Sequence, residues 1–262
     1  MNNNNIEQKL KKIEDEQFCS SFEAKTLSGI VCNNQLERWV PGFCGIHTEN
    51  EHEQRYNLVS KFTQEKNVID IACGSGKGSY IMATEGKATR VTGCDVDEET
   101  VRYASIKYAH DRIHHEVKDA EELYFRQKSD ILVSFETIEH LNNPRIFLEQ
   151  VKKNLTEGGT FFVSTPISSR PINKNPYNKY HKIEWGFTEF QKLISEYFII
   201  DVIYVQLYNY KDKNIFIRII KKILGRNVPM LLSDIVAWDS EKYPPQSMGH
   251  KFKGYQIIKC KI

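Results

Sequence analysis

The chain has 262 residues, enough for one large α/β domain or a smaller domain with a cap, so fibrous proteins and short disulfide-stabilised peptides are excluded. Apolar residues make up 40% of the chain and charged residues 27%, which is the composition of a folded protein rather than a disordered one. The 36 basic residues nearly balance the 34 acidic ones, and this small net charge argues against a nucleic acid as partner.

The cysteines and the amino terminus indicate where the protein acts. The six cysteines show no paired C-x-x-C spacing, so neither structural zinc nor a disulfide framework is expected. The first residues, MNNNNIEQKLKKIEDEQ, contain no apolar signal core, and no stretch reaches the roughly 18 apolar residues of a membrane span. We therefore expect a cytoplasmic protein with no integral membrane segment and a small-molecule substrate.

From residue 67 onward, short apolar runs alternate with helical patterns, which predicts βαβ units on a parallel sheet. The runs predict strands at 68–73, 90–96, 115–120, 130–135, 160–166, 199–209 and 255–262. Apolar spacings of three and four residues predict helices at 98–109, 144–155 and 188–198. A C-cap turn at 156–159 (TEGG) is expected to end the second helix, and Thr188 to cap the third at its amino terminus.

Two regions lie outside the repeating pattern. Residues 1–66 predict an N-terminal tail and helical cap, 67–209 the core, and 210–262 an insertion or lid followed by the closing strand. Within the insertion, IFIRIIKKIL at 215–224 predicts a helix that packs on the core or on a second copy of the chain, in a homodimer. Its basic, apolar character would also suit a membrane surface.

The strongest motif is VIDIACGSGKGSY at 68–80, where an apolar strand leads into Gly74, Gly76 and Gly78 and then a helix. The third glycine comes one residue too early for the dinucleotide pattern G-x-G-x-x-G, and no G-K-[ST] follows for a phosphate-binding Walker loop. Asp70, just ahead of the loop, suits an ammonium group better than a pyrophosphate. The loop therefore argues against a pyrophosphate ligand.

Two further strand ends carry carboxylates. Asp95 ends the second strand, 21 residues after Gly74, where it can accept both hydroxyls of a ribose. Asp119 and Ala120 end the third strand at the same edge of the sheet. The glycine loop and these strand ends together predict one nucleoside-sized site.

The ordered segments DIACGSGKG, GCDVD, KDA, SFETIEHL and LTEGGTFFVSTP resemble the class I S-adenosylmethionine-dependent methyltransferases over about residues 51–209. The resemblance implies an α/β, Rossmann-like, doubly wound sheet of about seven strands with the last strand antiparallel, and an enzyme that converts S-adenosylmethionine to S-adenosylhomocysteine. It implies donor contacts at the methionine end (Asp70, Ala72, Gly74), the ribose (Asp95), the adenine face (Val96) and the adenine edge (Asp119, Ala120). We place Gly76, Gly78, Phe135, Arg38 and Tyr56 in the same donor site, the last two, with Arg55, as partners for a carboxylate or phosphate.

A narrower resemblance concerns the acceptor. LERWVPG (36–42), HEQRY (52–56), SFETIEHL (134–141), STP (164–166) and NPYNKYHKIEW (175–185) are similar to bacterial methyltransferases of surface-polysaccharide and sugar-nucleotide pathways. That similarity implies O-methylation of a small carbohydrate-type acceptor, either nucleotide-linked or phosphorylated. A basic loop would suit such an acceptor, and it contains Arg170, Lys174, Lys179 and Lys182.

Methylation of a neutral hydroxyl calls for alignment and a base that titrates near neutrality, for which histidine is the usual residue. We favour His181 as that base, with Glu184 orienting it and His140 as second choice; His52 is the weakest candidate.

The segment E-x-x-E-H, with Glu136, Glu139 and His140, also resembles the divalent-ion site of ubiquinone-type O-methyltransferases, although we favour a reaction without metal. Two alternatives therefore stay open: a metal-assisted O-methyltransferase of a phenolic or quinone precursor, and an inactive donor-binding regulatory subunit.

Overall fold

A computed structural model describes residues 3–33, 38–43, 46–210, 230–232 and 234–262. The chain folds into two compact units, Met1–Val133 and Ser134–Ile262. The helix predicted at 215–224 lies outside the described residues. Among the residues described, no helix is both long enough and apolar enough to span a membrane.

The first unit contains four helices and the parallel strands. The helices are α1 (Asn3–Asn33), α2 (Ile46–Ser60), α3 (Lys77–Thr84) and α4 (Glu98–Lys107). The strands are β1 (Asn67–Ile71), β2 (Arg90–Asp95), β3 (Ile113–Val117) and β4 (Ser129–Phe135). All pairings are parallel, in the order β3-β2-β1-β4. This order brings the loops that follow β1 and β2 to the same edge of the sheet.

The N-terminal helices pack onto the helices that follow the first two strands. Phe22 of α1 stacks on Tyr103 of α4 with ring centroids 4.3 Å apart, in a buried cluster that also contains Cys19 and Val40. Tyr56 of α2 packs against α3. Residues from before the first strand therefore reach the glycine loop.

The second unit carries the antiparallel strands. Its long strands are β5 (Leu155–Pro166), β8 (Ile199–Tyr210) and β11 (Gly254–Lys261), and β11 pairs antiparallel with both of the others. The short strands are β6 (Ile172–Asn173), β7 (Glu184–Trp185), β9 (Met230–Leu232) and β10 (Val236–Ala237). The helices are α5 (Pro144–Asn154) and α6 (Phe187–Ser195). Strands β9 and β10 both pair with β8.

Two local predictions in this unit are wrong. The TEGG segment at 156–159 does not form a C-cap turn, because β5 begins directly after α5 and runs through it, with Gly158 at a φ of +70°. Helix α6 is capped by the backbone of Gly186 without a side-chain hydrogen bond, and Thr188 lies inside the helix. In both places the tertiary pairing of the strand or loop outweighs the local capping preference.

The predicted fold class is confirmed. Parallel strands alternate with helices in the first unit, and the last strand is antiparallel to its neighbours in the second. Seven of the described strands have five or more residues, which matches the expected number.

Candidate functional site

The glycine loop turns sharply between β1 and α3. Gly74 has a φ of +54° and Gly76 a φ of +86°, both in the left-handed region that favours glycine. A Cβ on Gly76 would lie 2.7 Å from the Cβ of Ala104 and 3.0 Å from Nε2 of His115, so the loop packs directly on α4. Ala72 also has a left-handed φ, of +56°, which costs a residue with a Cβ about 1 to 2 kcal/mol.

Asp95 ties the end of β2 to this loop. Its carboxylate accepts a hydrogen bond from the backbone N–H of Gly74 at 3.1 Å and another from that of Asp97 at 3.1 Å. The residue is only 7% exposed. Gly74 and Asp95, which the sequence predicts to bind one ligand, are therefore in direct contact.

Arg38, from the segment before the first strand, lies over the same place. Its guanidinium is 3.7 Å from a carboxylate oxygen of Asp95 and 2.9 Å from one of Asp97. Its Cγ would be 3.4 Å from a Cβ built on Gly74. Arg38 therefore covers both the glycine loop and Asp95, the carboxylate expected to bind ribose.

Asp70 is fully buried at the end of β1. It accepts hydrogen bonds from the Tyr56 hydroxyl at 3.1 Å and from Oγ of Ser79 at 2.7 Å. Burial raises the pKa of Asp70 to about 7, although both hydrogen bonds oppose that rise. A Cβ on Gly78 would lie 2.1 Å from the Tyr56 ring, so this glycine makes room for the tyrosine that holds Asp70.

The remaining predicted donor residues lie just beyond the neighbouring strands. The prediction that Asp119 and Ala120 end the third strand is wrong, because β3 ends at Val117. Val96 is 66% exposed directly after Asp95, as an apolar surface for a base would need to be. The N–H of Lys118 donates to the carbonyl of Asp95, and Asp119 follows it and caps a short 3-10 turn that begins at Ala120.

These residues fit a donor that carries a nucleoside. The left-handed glycines give the loop backbone close access to a ligand, and Asp95 lies where a carboxylate can bind the hydroxyls of a ribose. Phe135 is buried at the end of β4, and its carbonyl accepts a hydrogen bond from Oγ1 of Thr137 at 3.0 Å.

His52 has a packing role in the structure. Its ring stacks on Trp39 at 5.5 Å, and Trp39 also stacks on Tyr56 at 6.0 Å. Burial and the nearby Arg55 lower the pKa of His52 to about 3. This histidine is therefore neutral at physiological pH and stabilises the wall behind Tyr56, a contact that no sequence pattern indicated.

The second unit brings the two favoured histidines together. His140 ends a 3-10 turn after β4, and His181 lies in the loop before β7, yet their rings meet edge to face with centroids 4.7 Å apart. Nδ1 of His181 is 2.7 Å from a carboxylate oxygen of Glu184, and Nδ1 of His140 is 3.2 Å from the carbonyl of Tyr180. Both partners are acceptors, so each Nδ1 donates and each neutral ring keeps its lone pair on Nε2.

Glu139 holds the loop that contains His181 through hydrogen bonds. Its fully buried carboxylate accepts from Oγ1 of Thr165 at 3.2 Å, and its carbonyl accepts from the N–H groups of Lys182 at 2.8 Å and Ile183 at 3.3 Å. Ligand atoms of Glu139, His140 and His181 all lie within 4.8 Å of one another.

The sequence motif had grouped Glu136, and not His181, with Glu139 and His140. Glu136 instead has a φ of +51° and accepts a hydrogen bond from Oγ of Ser164 at 2.6 Å. Among the described residues, the group that could hold an ion therefore contains His181 instead of Glu136, next to Glu139 and His140. The loop between β5 and β7 makes this exchange, because it brings a residue 41 positions along the chain next to His140.

The same loop is strongly basic. Residues 167–183 contain four lysines and arginines and no acidic residue. Arg170, Lys174 and Lys179 are exposed, as are the aromatic side chains of Tyr177 and Tyr180. Lys182 donates to the side-chain oxygen of Asn142.

Comparisons with known proteins agree with this geometry. A family model described as a methyltransferase domain matches residues 62–258. A probable S-adenosylmethionine-dependent methyltransferase of Mycolicibacterium smegmatis is 33% identical over 166 residues, covering 61% of this chain and 62% of the relative. One of Mycobacterium tuberculosis H37Rv is 28% identical over 186 residues, covering 68% and 65%. The chain thus spans somewhat less than two thirds of the length of these curated relatives.

Solved structures show the same fold at low identity. N-methyltransferase NodS from Bradyrhizobium japonicum WM9, in complex with S-adenosylhomocysteine, aligns with a TM-score of 0.57 at 11% identity, over 90% of this chain and 97% of that one. The [4+2]-cyclase SpnF aligns with a TM-score of 0.60 at 15% identity, over 94% and 96%. The second example shows that the fold alone does not determine the reaction. The family match over most of the sequence does decide the class, and the chain belongs to the class I S-adenosylmethionine-dependent methyltransferases.

Proposed function

We propose that this enzyme methylates a hydroxyl oxygen of a small, anionic, carbohydrate-type acceptor, with His181 as the base. The observation that carries the proposal is the short contact between His181 and Glu184, 2.7 Å long, next to the ring of His140. A histidine oriented by a carboxylate is a common arrangement for removing a proton from a hydroxyl group.

The donor would be held by residues of the glycine loop and the strand ends. Asp95 and Val96 are assigned to the ribose and the adenine face, and the backbone of Gly74 with Arg38 to the methionine end. When bound, S-adenosylmethionine supplies a methyl group that its sulfonium already activates. The protein must therefore align the acceptor and remove its proton, and needs no further activation of the methyl carbon.

His181 is suited to that proton transfer. Its Nδ1–H donates to Glu184, which leaves the Nε2 lone pair for the acceptor hydroxyl. As the proton arrives, the ring becomes a cation and Glu184 stabilises its charge. His140, held through Nδ1 by the carbonyl of Tyr180, packs edge to face against His181 and limits its rotation.

The composition of the loop supports an anionic acceptor. Arg170, Lys174 and Lys179 are exposed on a segment without a single carboxylate, and such a segment favours a phosphate group. Tyr177 and Tyr180 offer exposed aromatic surface for the apolar face of a sugar ring. These features support a nucleotide-linked or phosphorylated carbohydrate, such as a precursor of a surface polysaccharide.

The acceptor class can be tested by incubating the purified chain with S-adenosylmethionine and pools of sugar nucleotides, sugar phosphates or phenols. We expect a mass gain of one CH2 in the first or second pool. His181→Ala should lower kcat by about 10² to 10⁴ and leave donor affinity unchanged. His114→Ala removes an exposed histidine of β3 and serves as the matched control. Donor binding with no methylated product in any pool would refute the proposal and favour a regulatory subunit.

A metal-assisted reaction on a phenolic substrate is the second candidate. It is favoured by the grouping of Glu139, His140 and His181, whose mix of carboxylate and imidazole suits a divalent ion. A ubiquinone biosynthesis O-methyltransferase of Pelagibacter ubique is also 28% identical over 144 residues. Product formed only from phenols, and lost with EDTA but restored by Mg²⁺ or Mn²⁺, would decide for this candidate. In that case Glu139→Gln should abolish the metal response.

A further inference from the structure

The connection from β3 to β4, residues 118–128, contains no α-helix to pack on the sheet of the first unit. Because the strand order is β3-β2-β1-β4, this connection crosses β2 and β1, about 14 Å at the usual strand spacing. Parallel strands are usually joined by a helix that covers the sheet. Here the only helical element is one 3-10 turn, Ala120–Glu122.

The sheet face next to this connection is the one away from α3. A Cβ on Gly93 would point at Oγ of Ser79 in α3, at 2.9 Å. Side chains alternate along a strand, so Thr92 points to the opposite face, together with its in-register neighbour Ile69. Glu116 of β3 lies on that same face, because it is two residues from the partner of Thr92.

A cavity of about 480 Å³ lies between this face and the connection. Its volume is in the range of small-molecule sites. The buried side chains of Ile69 and Thr92 form the floor, and Tyr124 and Phe125 line a wall. Tyr124 is 73% exposed. The cavity therefore offers both an apolar floor and an accessible aromatic surface.

The charge around the cavity is unbalanced. Four cations line it, and the one carboxylate among the lining residues, that of Glu116, pairs with Lys118 at 3.1 Å. The other three cations, Arg90, Arg126 and Lys128, have no ion-pair partner among the described residues. Three uncompensated positive charges around an apolar floor favour an anion that also carries a flat, apolar group.

We propose that this cavity is a second ligand site, distinct from the donor residues, that binds a small molecule with a planar ring and a phosphate or carboxylate. The ring would lie on the floor of Ile69 and Thr92 against Tyr124, and the anionic group would pair with Arg126 and Lys128. None of the residues assigned to the methyl donor lines the cavity. Nucleotides and aromatic acids share this chemistry, and the probes below separate them.

The test uses the full chain saturated with S-adenosylhomocysteine, so that the donor site is occupied. AMP, salicylate and inorganic phosphate are titrated separately and followed by calorimetry and ligand-observed NMR. We expect saturable binding of AMP or salicylate, with inorganic phosphate at least about tenfold weaker because it lacks the ring. The double variant R126E/K128E should lower the affinity of the bound probe by roughly tenfold or more and leave S-adenosylhomocysteine affinity unchanged.

The matched control is K152E/K153E, which changes two exposed lysines of α5 in the second unit and should not alter binding. If R126E/K128E does not fold, Tyr124→Ala replaces it, and a loss of several-fold in affinity is expected. Absence of saturable binding by both ring-bearing probes would overturn the proposal. So would equal affinity in the wild type and the variants, or inorganic phosphate binding as tightly as AMP and salicylate. None of these readouts depends on methyl transfer.

Discussion

Replacing Gly78 with Ala should disrupt the contact between α2 and the glycine loop. The new Cβ would lie 2.1 Å from Cζ and 2.2 Å from Cε1 of Tyr56, whereas ordinary carbon contacts begin near 3.4 Å. The ring must therefore move by more than about 1 Å in a buried environment. That movement breaks the hydrogen bond that the Tyr56 hydroxyl donates to Asp70 at 3.1 Å.

The magnitude follows from three contributions. Overpacking costs about 1 to 3 kcal/mol, and loss of a hydrogen bond to the buried Asp70 carboxylate costs about 1 to 3 kcal/mol. Alanine is favoured over glycine in a helix by up to about 1 kcal/mol, which acts in the opposite direction. We expect Gly78→Ala to lower the free energy of unfolding by about 1 to 6 kcal/mol.

Urea unfolding, followed by circular dichroism and tryptophan fluorescence, measures this change, and Trp39 is a local reporter because it stacks on Tyr56. The same substitution in a Tyr56→Leu background meets no ring edge. There it should be neutral or stabilise the protein by up to about 1 kcal/mol. Equal destabilisation in both backgrounds, or none in the wild type, would refute the packing explanation for Gly78.

Two further predictions concern the buried carboxylates of Asp95 and Asp70. Asp95→Asn should weaken S-adenosylhomocysteine binding by about 1.5 to 3 kcal/mol in calorimetry, the cost of losing charged hydrogen bonds. The control is Asp97→Asn, which removes the other carboxylate bound to Arg38. An equal loss of affinity in both variants would contradict the assignment of Asp95 to the ribose. The pKa of Asp70 rises from an ordinary 3.8 to about 7 in the folded protein. Between these two pH values the folded state binds more protons than the unfolded state. Stability is therefore lost as the pH rises from the lower value to the higher one. Asp70→Asn should thus lose less stability than the wild type between pH 5 and pH 8 in urea unfolding, and parallel curves would show that the Asp70 carboxyl does not contribute.

The part of the chain that contains the proposed donor site is largely predictable from the sequence. Local sequence patterns predict β1, the glycine loop and α3 correctly, because apolar runs, glycines and helical periodicity each depend on only a few neighbouring residues. The position of Asp95 follows too, because adjacent parallel strands bring their carboxyl ends to one edge, and its hydrogen bond from Gly74 agrees with that expectation.

Other features depend on contacts between distant parts of the chain. Position 78 needs a glycine because the ring of Tyr56, 22 positions earlier, packs against it. The ring that contacts His140 belongs to His181, 41 positions later. The TEGG segment would form a turn by local preference, yet pairing with β11 extends β5 toward it, since Thr160 lies opposite Lys261.

The family, the order of the main strands and helices, and the loop expected to hold the methyl donor can therefore be predicted from the sequence. The folded chain is needed to show which of the candidate histidines meet, which acidic residue lies with them, and where an open cavity remains. The physical reason is range: backbone propensity and periodicity act between near neighbours, whereas side-chain packing and hydrogen bonding join residues that only the folded chain brings together.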